Sequence, residues 1–307
     1  MDYVPVRVST LRGDQKIDFD VYIKINDKML LYLRRGDSFE GPRLSRLKAK
    51  KLKKMFIQPD DESAYRQYLH RNIEMAYDKS SEKDLATRAE IVHGDQQANA
   101  EQLFENPEAE SVYQAAKDGA GRYVQFLLNE NEAARAIFNA GDGDQSLSHH
   151  GVNVATLSVE LGRRTGINDE KVVQLMTLGA LIHDIGHQEA TYSLTQNPSK
   201  YTPEELALYK EHPQAATKFQ SLQHFDPLVT KIVAQHEECT DGSGFPLGLR
   251  EKDMDPEVIV VAVANAIDRF ITFEGVTRAN AAKRMMMEKI GQYPLALIQQ
   301  ASEILKD

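Results

Sequence analysis

The histidines of this chain are concentrated in one stretch of its sequence. Seven of the nine lie within residues 149–236, and His183 is followed at once by Asp184 inside an apolar run. An aspartate in an apolar helix is costly unless a partner or a metal ion neutralises its charge. His212 and Asp268 add an imidazole and a carboxylate from other segments. Such a mixture is typical of a catalytic site for Zn, Fe or Mn, whereas a structural zinc site uses mostly cysteines.

Each of these residues on its own also fits a structural role. The His183–Asp184 pair could cap a helix or be satisfied by backbone groups, and a lone histidine is commonly a surface or capping residue. Taken together, the imidazoles and carboxylates lie where helices are expected to end and to face a common core, which favours a two-metal site in a bundle. His183 and Asp184 point about 100° apart on a helix, so both can reach one ion, and Asp184 has two oxygens that can bridge two ions.

A short loop of glycine, serine and proline follows the last histidine cluster. It spans residues 241–246 and comes directly after His236-Glu237-Glu238. As a plain turn it is easily explained, because glycine supplies a positive φ and proline fixes the exit. Its position directly after candidate ligands supports a substrate-facing loop equally well, with Gly244 and Phe245 as the contacts.

The chain is predicted to change fold class along its length. Alternating apolar and polar residues, with a turn at Asn26-Asp27, predict strands in an α+β module over residues 1–78. Residues 79–145 are acidic and helix-compatible, and we interpret them as a helical linker. Over residues 146–307 the apolar spacing is that of buried helices. The sequence therefore predicts an α+β N-terminal module followed by an all-α helical bundle.

Composition limits the classes of protein that remain. A formal net charge of −9 over 307 residues argues against a general nucleic-acid-binding surface, although a local basic pocket could still hold phosphates. The single cysteine, Cys239, excludes an internal disulfide and fits a reducing compartment. No segment approaches the length of a membrane span, and no signal peptide is expected. The sequence predicts a soluble cytoplasmic protein.

The motifs together resemble the HD-GYP subfamily of HD-domain phosphohydrolases. The His183-Asp184 pair, the cluster at residues 236–238 and the loop at residues 241–246 match it in order and spacing, from about residue 149 to at least Arg278. The resemblance implies a helical HD-domain bundle that hydrolyses cyclic di-GMP at a centre of two or three metal ions, often iron or manganese. The N-terminal module is similar to the small domain found ahead of some HD-GYP domains, which has no assigned chemistry.

The resemblance also implies particular roles for particular residues. It implies that Asp184 bridges two divalent ions, with iron expected and manganese as the alternative, and that a hydroxide formed from their shared water attacks the phosphodiester. His187 and Arg278 are the candidates for contact with the phosphate or with the attacking water. The implied ligands of the first ion are His150, His183, Asp184 and Asp268, and those of the second are Asp184, His212, His236 and Glu237.

Five positions depart from the family pattern. The second histidine of a His-His pair is Glu237 here, which adds negative charge to the second ion. The family's lysine after the HD motif is His187, so a permanent cation becomes a titratable one. Ser146 replaces the glutamate that marks three-metal members, which favours two ions. The signature tyrosine is Phe245, and Asn265 stands where an aspartate is usual.

Three functions remain open at the level of sequence. The first is an active phosphodiesterase for cyclic di-GMP. The second is a binding module that senses the nucleotide or docks a signalling protein, through the N-terminal module or the Gly-Phe-Pro loop, and the replacements at Glu237, Phe245 and His187 favour it. The third is a phosphohydrolase for another nucleotide, because the HD pair does not specify the substrate.

Overall fold

The computed structural model describes residues 3–306 except for 14, 40–42, 51, 142, 188–189 and 215–223. The chain falls into two compact units, Met1–Ala98 and Asn99–Asp307. No helix among the described residues has the length and apolar character needed to cross a membrane.

The first unit is built on a four-stranded antiparallel sheet with the strand order β1-β4-β2-β3. Its strands are β1 (Val4–Arg7), β2 (Val21–Ile25), β3 (Lys28–Leu33) and β4 (Lys54–Ile57). Two helices lie in the same unit, α1 (Arg43–Ala49) and α2 (Glu62–Tyr77). The β2–β3 hairpin is confirmed: Asn26 and Asp27, with φ of 47° and 63°, form the two-residue turn that matches the twist of the strands.

Aromatic side chains join this sheet to α2. The ring of Phe19 is fully buried, and it packs edge-on against Tyr65 and Tyr68 with centroid separations of 5.5 and 5.6 Å. The hydroxyl of Tyr68 accepts a hydrogen bond from the backbone N–H of Arg12 at 2.8 Å. Burial of these rings gives the small module a core of its own.

The remaining elements are helical, as the apolar spacing predicts. Helix α3 (Leu85–Glu105) runs from the sequence of the first unit into that of the second. The second unit contains α4 (Glu110–Asn129), α5 (Ala133–Ala140), α6 (Leu147–Thr165), α7 (Glu170–Ile182), α8 (Pro203–Glu211), α9 (Pro227–Gln235), α10 (Pro256–Thr272), α11 (Arg278–Glu288) and α12 (Leu295–Ile304). An α+β module followed by an all-α bundle is therefore the observed fold class.

Helix α6 is the centre of the second unit. It is buried on nearly all sides from Ser148 to Gly162, as expected of a helix that other helices surround. It packs against α7 and α10, and α7 in turn packs against α9. Ser146 caps the helix by accepting the backbone N–H of His149. The cap places the first turn of α6, with its two histidines, at the level where α7 ends.

Two helices of the predicted linker contribute to this core. Helix α4 packs on α7, and α5 packs on α6. Tyr123 of α4 is fully buried, and its hydroxyl lies 2.6 Å from Oγ1 of Thr156 on α6. The apolar faces of α4 and α5 explain why this stretch joins the bundle, while functional domain boundaries at 78/79 and 145/146 remain predictions.

Candidate metal centre

Three of the predicted ligands stand at the carboxyl ends of helices. His183, His212 and His236 are the capping residues of α7, α8 and α9. In each, the ring Nδ1–H donates to the carbonyl oxygen three residues earlier, at 2.7, 2.5 and 2.9 Å. These bonds fix both the orientation of the ring and its tautomer, so the lone pair lies on Nε2. All three Nε2 atoms turn towards one interior point.

The carboxylate of Asp184 occupies that point. Both of its oxygens are buried, and neither has a hydrogen-bond partner among the described residues. Instead, five imidazole Nε2 atoms lie 3.4–3.6 Å from it, and they belong to His150, His183, His187, His212 and His236. A buried unpaired carboxylate surrounded by ring nitrogens is unfavourable unless cations lie between them.

The spacing of these atoms fits divalent ions. Ligand atoms bound at about 2.0–2.2 Å from one ion stand roughly 3 Å apart, close to the separations seen here. His150 and His183 approach at 3.2 Å between Nε2 atoms, and His212 and His236 at 2.7 Å. Three groups of ligand atoms meet the distances of a metal site: His150–His183–Asp184, Asp184–His187–His212 and His212–His236–Glu237. Because Asp184 belongs to two of them, it is placed to serve two ions.

Burial keeps most of these imidazoles neutral. It lowers the pKa of His183 to about 3 and takes the pKa values of His187 and His212 well below the ordinary value. At His236 burial acts in the same direction, but Asp184 outweighs it and raises the pKa. Burial would raise the pKa of Asp184, yet the surrounding imidazoles hold it well below its usual range. The site therefore offers neutral nitrogen lone pairs from His183, His187 and His212 and an ionised carboxylate at Asp184, as metal binding requires.

Asp268, predicted as a direct ligand, lies behind His150. Its Oδ2 accepts from His150 Nδ1 at 2.7 Å and from the hydroxyl of Thr272 at 2.7 Å. The Nε2 on the other side of the His150 ring lies 3.0 Å from Oδ1 of Asn265. Asp268 thus orients the ring of His150 through Nδ1, and its role as a metal ligand remains a prediction. His149, the other histidine in this turn, lies 3.1 Å from the amide nitrogen of Asn153.

Glu237 and His187 each have a tyrosine partner. The hydroxyl of Tyr209 donates to Glu237 Oε1 at 2.7 Å. Nδ1 of His187 lies 2.5 Å from the hydroxyl of Tyr192, and its ring stacks 3.7 Å from that of His212. His187 is buried, and its Nε2 has no hydrogen-bond partner among the described residues. It therefore stands with the candidate ligands, whereas the sequence had assigned it to the phosphate or the attacking water.

The loop at residues 241–246 folds back on the ligand segment. A Cβ added to Gly244 would lie 2.2 Å from the backbone nitrogen of Cys239, so only glycine allows this close approach. Glu238 is fully buried, and its carboxylate accepts from the backbone N–H of Leu247 and Leu249. The ring of Phe245 packs 5.7 Å from that of Tyr209. The geometry gives Gly244 a packing role, and the substrate contact predicted for it and for Phe245 remains a prediction.

Arg278 begins helix α11 and lies at a cavity beside Asp268. Its Nη1 donates to Oδ1 of Asn139 at 2.7 Å. It lines a cavity of about 370 Å³ whose walls also include His149 and Asp268. A phosphate contact by Arg278 remains a prediction.

The structure adds a residue that the sequence reasoning missed. Arg269 on α10 is buried, and its charge acts on Asp184 and Glu237. Its carbon Cζ lies 5.3 Å from the ring centre of Tyr209. The available signal was a lone charged residue, next to Asp268, inside the apolar run of α10. A buried arginine in such a run requires partners, which neighbouring ligands could have suggested.

Comparison with known proteins identifies relatives of this bundle and of the whole chain. Residues 128–293 match the family described as HD domain. The structure superimposes on Bd1817, an HDG"Y"P protein from Bdellovibrio bacteriovorus, with a TM-score of 0.95 and 55% sequence identity over 100% of both chains.

Curated relatives match over a smaller region. The cyclic di-GMP phosphodiesterase PdeB of Borreliella burgdorferi is 31% identical over 40% of this chain and 32% of its own length. The cyclic di-GMP phosphodiesterase PA4108 of Pseudomonas aeruginosa is 27% identical over 55% of this chain and 42% of its own. A 3'3'-cGAMP-specific phosphodiesterase of Vibrio cholerae is 26% identical over 45% and 30%. The matched region therefore spans less than half of each of these relatives.

Proposed function

The chain belongs to the HD-GYP branch of the HD-domain family, and from this membership we propose that it is a metal-dependent phosphodiesterase acting on cyclic dinucleotides, with cyclic di-GMP as the first candidate. The observation that carries the proposal is the Asp184 carboxylate, unpaired and buried among five imidazole nitrogens. The activities of PdeB and PA4108 supply the substrate class.

Two ions would share the Asp184 carboxylate. His150 and His183 would hold the first ion together with Asp184, and Asn265 Oδ1 lies beside Nε2 of His150, while Asp268 as a further ligand remains a prediction. His212, His236 and Glu237 would hold the second, next to Asp184 and His187, which group with His212. Imidazole and carboxylate ligands suit iron and manganese alike. Divalent ions bound here supply Lewis acidity toward a phosphate and a nucleophile from water at neutral pH.

The chain's own residues prepare this chemistry before the substrate arrives. The three helix-capping histidines are locked by their Nδ1–H bonds, and Asp268 locks His150 in the same way. Tyr209 holds one oxygen of Glu237 and so limits its motion. Little rearrangement is then needed when the phosphate binds, because these side chains are already ordered in the folded chain.

The direct test is hydrolysis by the metal-loaded full chain. Protein loaded anaerobically with Fe(II), or with Mn(II), is incubated with cyclic di-GMP, cyclic di-AMP or 3'3'-cGAMP, and linear product is sought by anion-exchange chromatography. We expect linear dinucleotide from cyclic di-GMP, and none from the Asp184→Asn variant. Full metal loading without product from any of the three substrates would refute the enzymatic proposal.

A second function, nucleotide sensing or protein docking, is favoured by specific replacements. Glu237 puts a carboxylate where the family pattern has an imidazole, and its hydrogen bond from Tyr209 keeps that carboxylate in the site. Phe245 lacks the hydroxyl of the signature tyrosine, and His187 the permanent charge of the lysine. Tight binding of cyclic di-GMP without hydrolysis would favour this function. Product from 3'3'-cGAMP alone would favour another nucleotide substrate, as the Vibrio cholerae relative suggests.

A further inference from the structure

Arg269 is a buried cation that no carboxylate of the described residues contacts directly. Its side chain belongs to a residue that is only 9% exposed, in the last turn of the largely apolar helix α10. It makes no ion pair with any carboxylate of the described residues, and its Nη1 is buried with no hydrogen-bond partner there. A guanidinium does not lose its proton under ordinary conditions, so the charge persists in this apolar setting. Nearby acidic groups favour the guanidinium through space, but a buried donor nitrogen without a partner is costly, and this points to an anion that the chain itself does not supply.

The surroundings of the guanidinium hold it beside the candidate metal centre. Its Cζ lies 5.3 Å from the ring centre of Tyr209 and 5.4 Å from that of Phe273. Tyr201 also lies close enough to interact electrostatically with the guanidinium. Its positive charge interacts electrostatically with the carboxylates of Asp184 and Glu237, although neither carboxylate lies within ion-pair distance. The faces of these two aromatic rings thus stabilise the cation without neutralising its charge.

The two nearby carboxylates act on Arg269 only through space, and each has other partners. Asp184 is enclosed by imidazole nitrogens, and Glu237 accepts from Tyr209. Both carboxylates are candidate metal ligands. Bound divalent ions would therefore neutralise their negative charge. The addition of ions would then leave Arg269 next to further positive charge, and the need for an external anion would increase.

We infer that Arg269 is an anion-binding residue of this centre and that the anion is a phosphate group of the nucleotide substrate. The inference rests on the proposed function for the identity of the substrate, but the buried unpaired guanidinium carries the anion site. Arg269 supplies from helix α10 the permanent cation that the family pattern places at His187. The planar guanidinium presents two parallel donors to a phosphate, a geometry that neither a histidine nor a lysine offers.

The test measures anion binding and not turnover. Inorganic phosphate is titrated calorimetrically into the full chain loaded with Mn(II), for the wild type and for Arg269→Gln and Arg269→Lys. Arg284→Gln is the matched control, because Arg284 also stacks on a ring, 4.5 Å from the centre of Phe270, but is paired with Glu274 and Glu288. Metal content and melting temperature are recorded for every variant.

We expect Arg269→Gln to weaken phosphate binding about tenfold or more at unchanged metal content, because one charge-assisted contact is lost. Arg269→Lys should fall between it and the wild type, and Arg284→Gln should stay within about twofold of the wild type. A purely structural Arg269 predicts a lower melting temperature with unchanged phosphate affinity, and that result would overturn the inference. So would a wild-type protein that binds no phosphate.

Two further outcomes are separable. If Arg269→Gln does not fold, Arg269→Lys decides the matter, since wild-type affinity in a variant with a single ammonium would contradict a two-pronged contact. If phosphate binding depends on Arg269 but no cyclic dinucleotide is hydrolysed by the wild type, the proposed function fails and the anion site stands. If hydrolysis occurs and the Arg269 variants bind phosphate normally, the proposed function stands and the inferred anion site fails.

Discussion

At the scale of single residues, the site is organised around one carboxylate that the protein leaves unpaired. Asp184 has both oxygens buried without hydrogen-bond partners among the described residues, and five ring nitrogens surround it. Removal of one member of a buried charged group is usually strongly destabilising when its partners stay behind. The partners here are mostly neutral, so the residue matters through the ions it is placed to hold.

Replacement of Asp184 by alanine is expected to abolish metal binding and to lower the melting temperature. Both ion groups lose a ligand, and stabilisation by bound metal disappears with it. We expect a drop of roughly 5–10 °C, as follows from about 2–3 kcal/mol of ligand stabilisation in a unit of this size. Elemental analysis and thermal unfolding measure the two effects.

Two controls decide that prediction. Asp118→Ala removes an exposed carboxylate of α4 that accepts a hydrogen bond from Gln114, and it should behave as the wild type. A chelator should bring the wild-type melting temperature close to that of Asp184→Ala. Wild-type metal content in Asp184→Ala would show that the residue is structural only.

Glu237 is expected to limit turnover more than Phe245 does. Glu237 places a negative charge where it would oppose an anionic substrate at contact distance. Phe245 keeps the ring packed against Tyr209 and lacks at most one hydrogen bond, about 0.5–1.5 kcal/mol or roughly a two- to tenfold effect. Glu237→His should therefore raise the rate of cyclic di-GMP hydrolysis more than Phe245→Tyr, as measured by initial rates at equal metal content.

The opposite ranking would refute this electrostatic argument. In particular, activation by Phe245→Tyr with no effect of Glu237→His would assign the limit to the missing hydroxyl. If the double variant with His187→Lys also gives no turnover while the nucleotide still binds, sensing becomes the better-supported function.

At the scale of helices, the ends of α7, α8 and α9 place the ligands, and contacts elsewhere hold those helices in register. Asp226 precedes α9 and joins it to α4. Its Oδ2 accepts from the hydroxyl of Tyr113 at 2.8 Å and from Nζ of Lys117 at 2.7 Å. Burial would raise the pKa of Asp226, but the bonds from Lys117 and Tyr113 outweigh it and lower the pKa. This carboxylate links the helix that carries His236 to the rest of the bundle.

Asp226→Asn is expected to destabilise the chain in a pH-dependent way. Because the pKa is lowered by folding, the stabilisation is present above the unfolded value of 3.8 and is lost as pH falls through the folded value. We expect a loss of roughly 1–2 kcal/mol at pH 7, a moderate figure because the group is partly exposed. Denaturant unfolding at pH 7 and near pH 3 measures it. A difference between variant and wild type that grows on acidification would contradict the assignment.

The elements could be predicted from sequence far better than the contacts between them. The hairpin at Asn26-Asp27 is local, because two residues that tolerate positive φ suffice to specify it. The pairing of β1 with β4 joins residues about fifty positions apart, such as Val4 and Ile57, and no local pattern specifies it. Helices α4 and α5 were predicted as a linker, since their apolar faces do not reveal which helix will cover them.

Within the site, sequence spacing likewise leaves the three-dimensional contacts of individual residues undecided. The sequence alone indicates His183 and Asp184 as site residues, because they are polar and charged residues in an apolar run. Asn265 and Asp268 are three positions apart on one face of α10, so spacing could not decide which of them faces Nε2 of His150 and which faces Nδ1. Arg269 could not be predicted as a site residue, because its contacts with the rings of Tyr209 and Phe273 depend on the tertiary fold.

At the scale of the whole molecule, the helical unit is expected to bind two ions per chain. Asp184 belongs to two of the ligand groups, and separate histidines complete each of them. Protein purified anaerobically with added iron should approach two equivalents in elemental analysis. A stoichiometry near one that is unchanged in Glu237→Ala would contradict a two-ion centre.

The position of His183, His212 and His236 at helix ends has a consequence for the backbone as well. Each helix carries about half a negative elementary charge at its carboxyl terminus, from peptide dipoles aligned along its axis. Because α7, α8 and α9 all present this terminus to the same interior point, their macrodipoles converge there. The resulting potential attracts cations irrespective of side-chain identity. Substitution of any one imidazole should therefore lower the affinity for a divalent ion. The negative potential at the three helix ends, which favours cations, should remain.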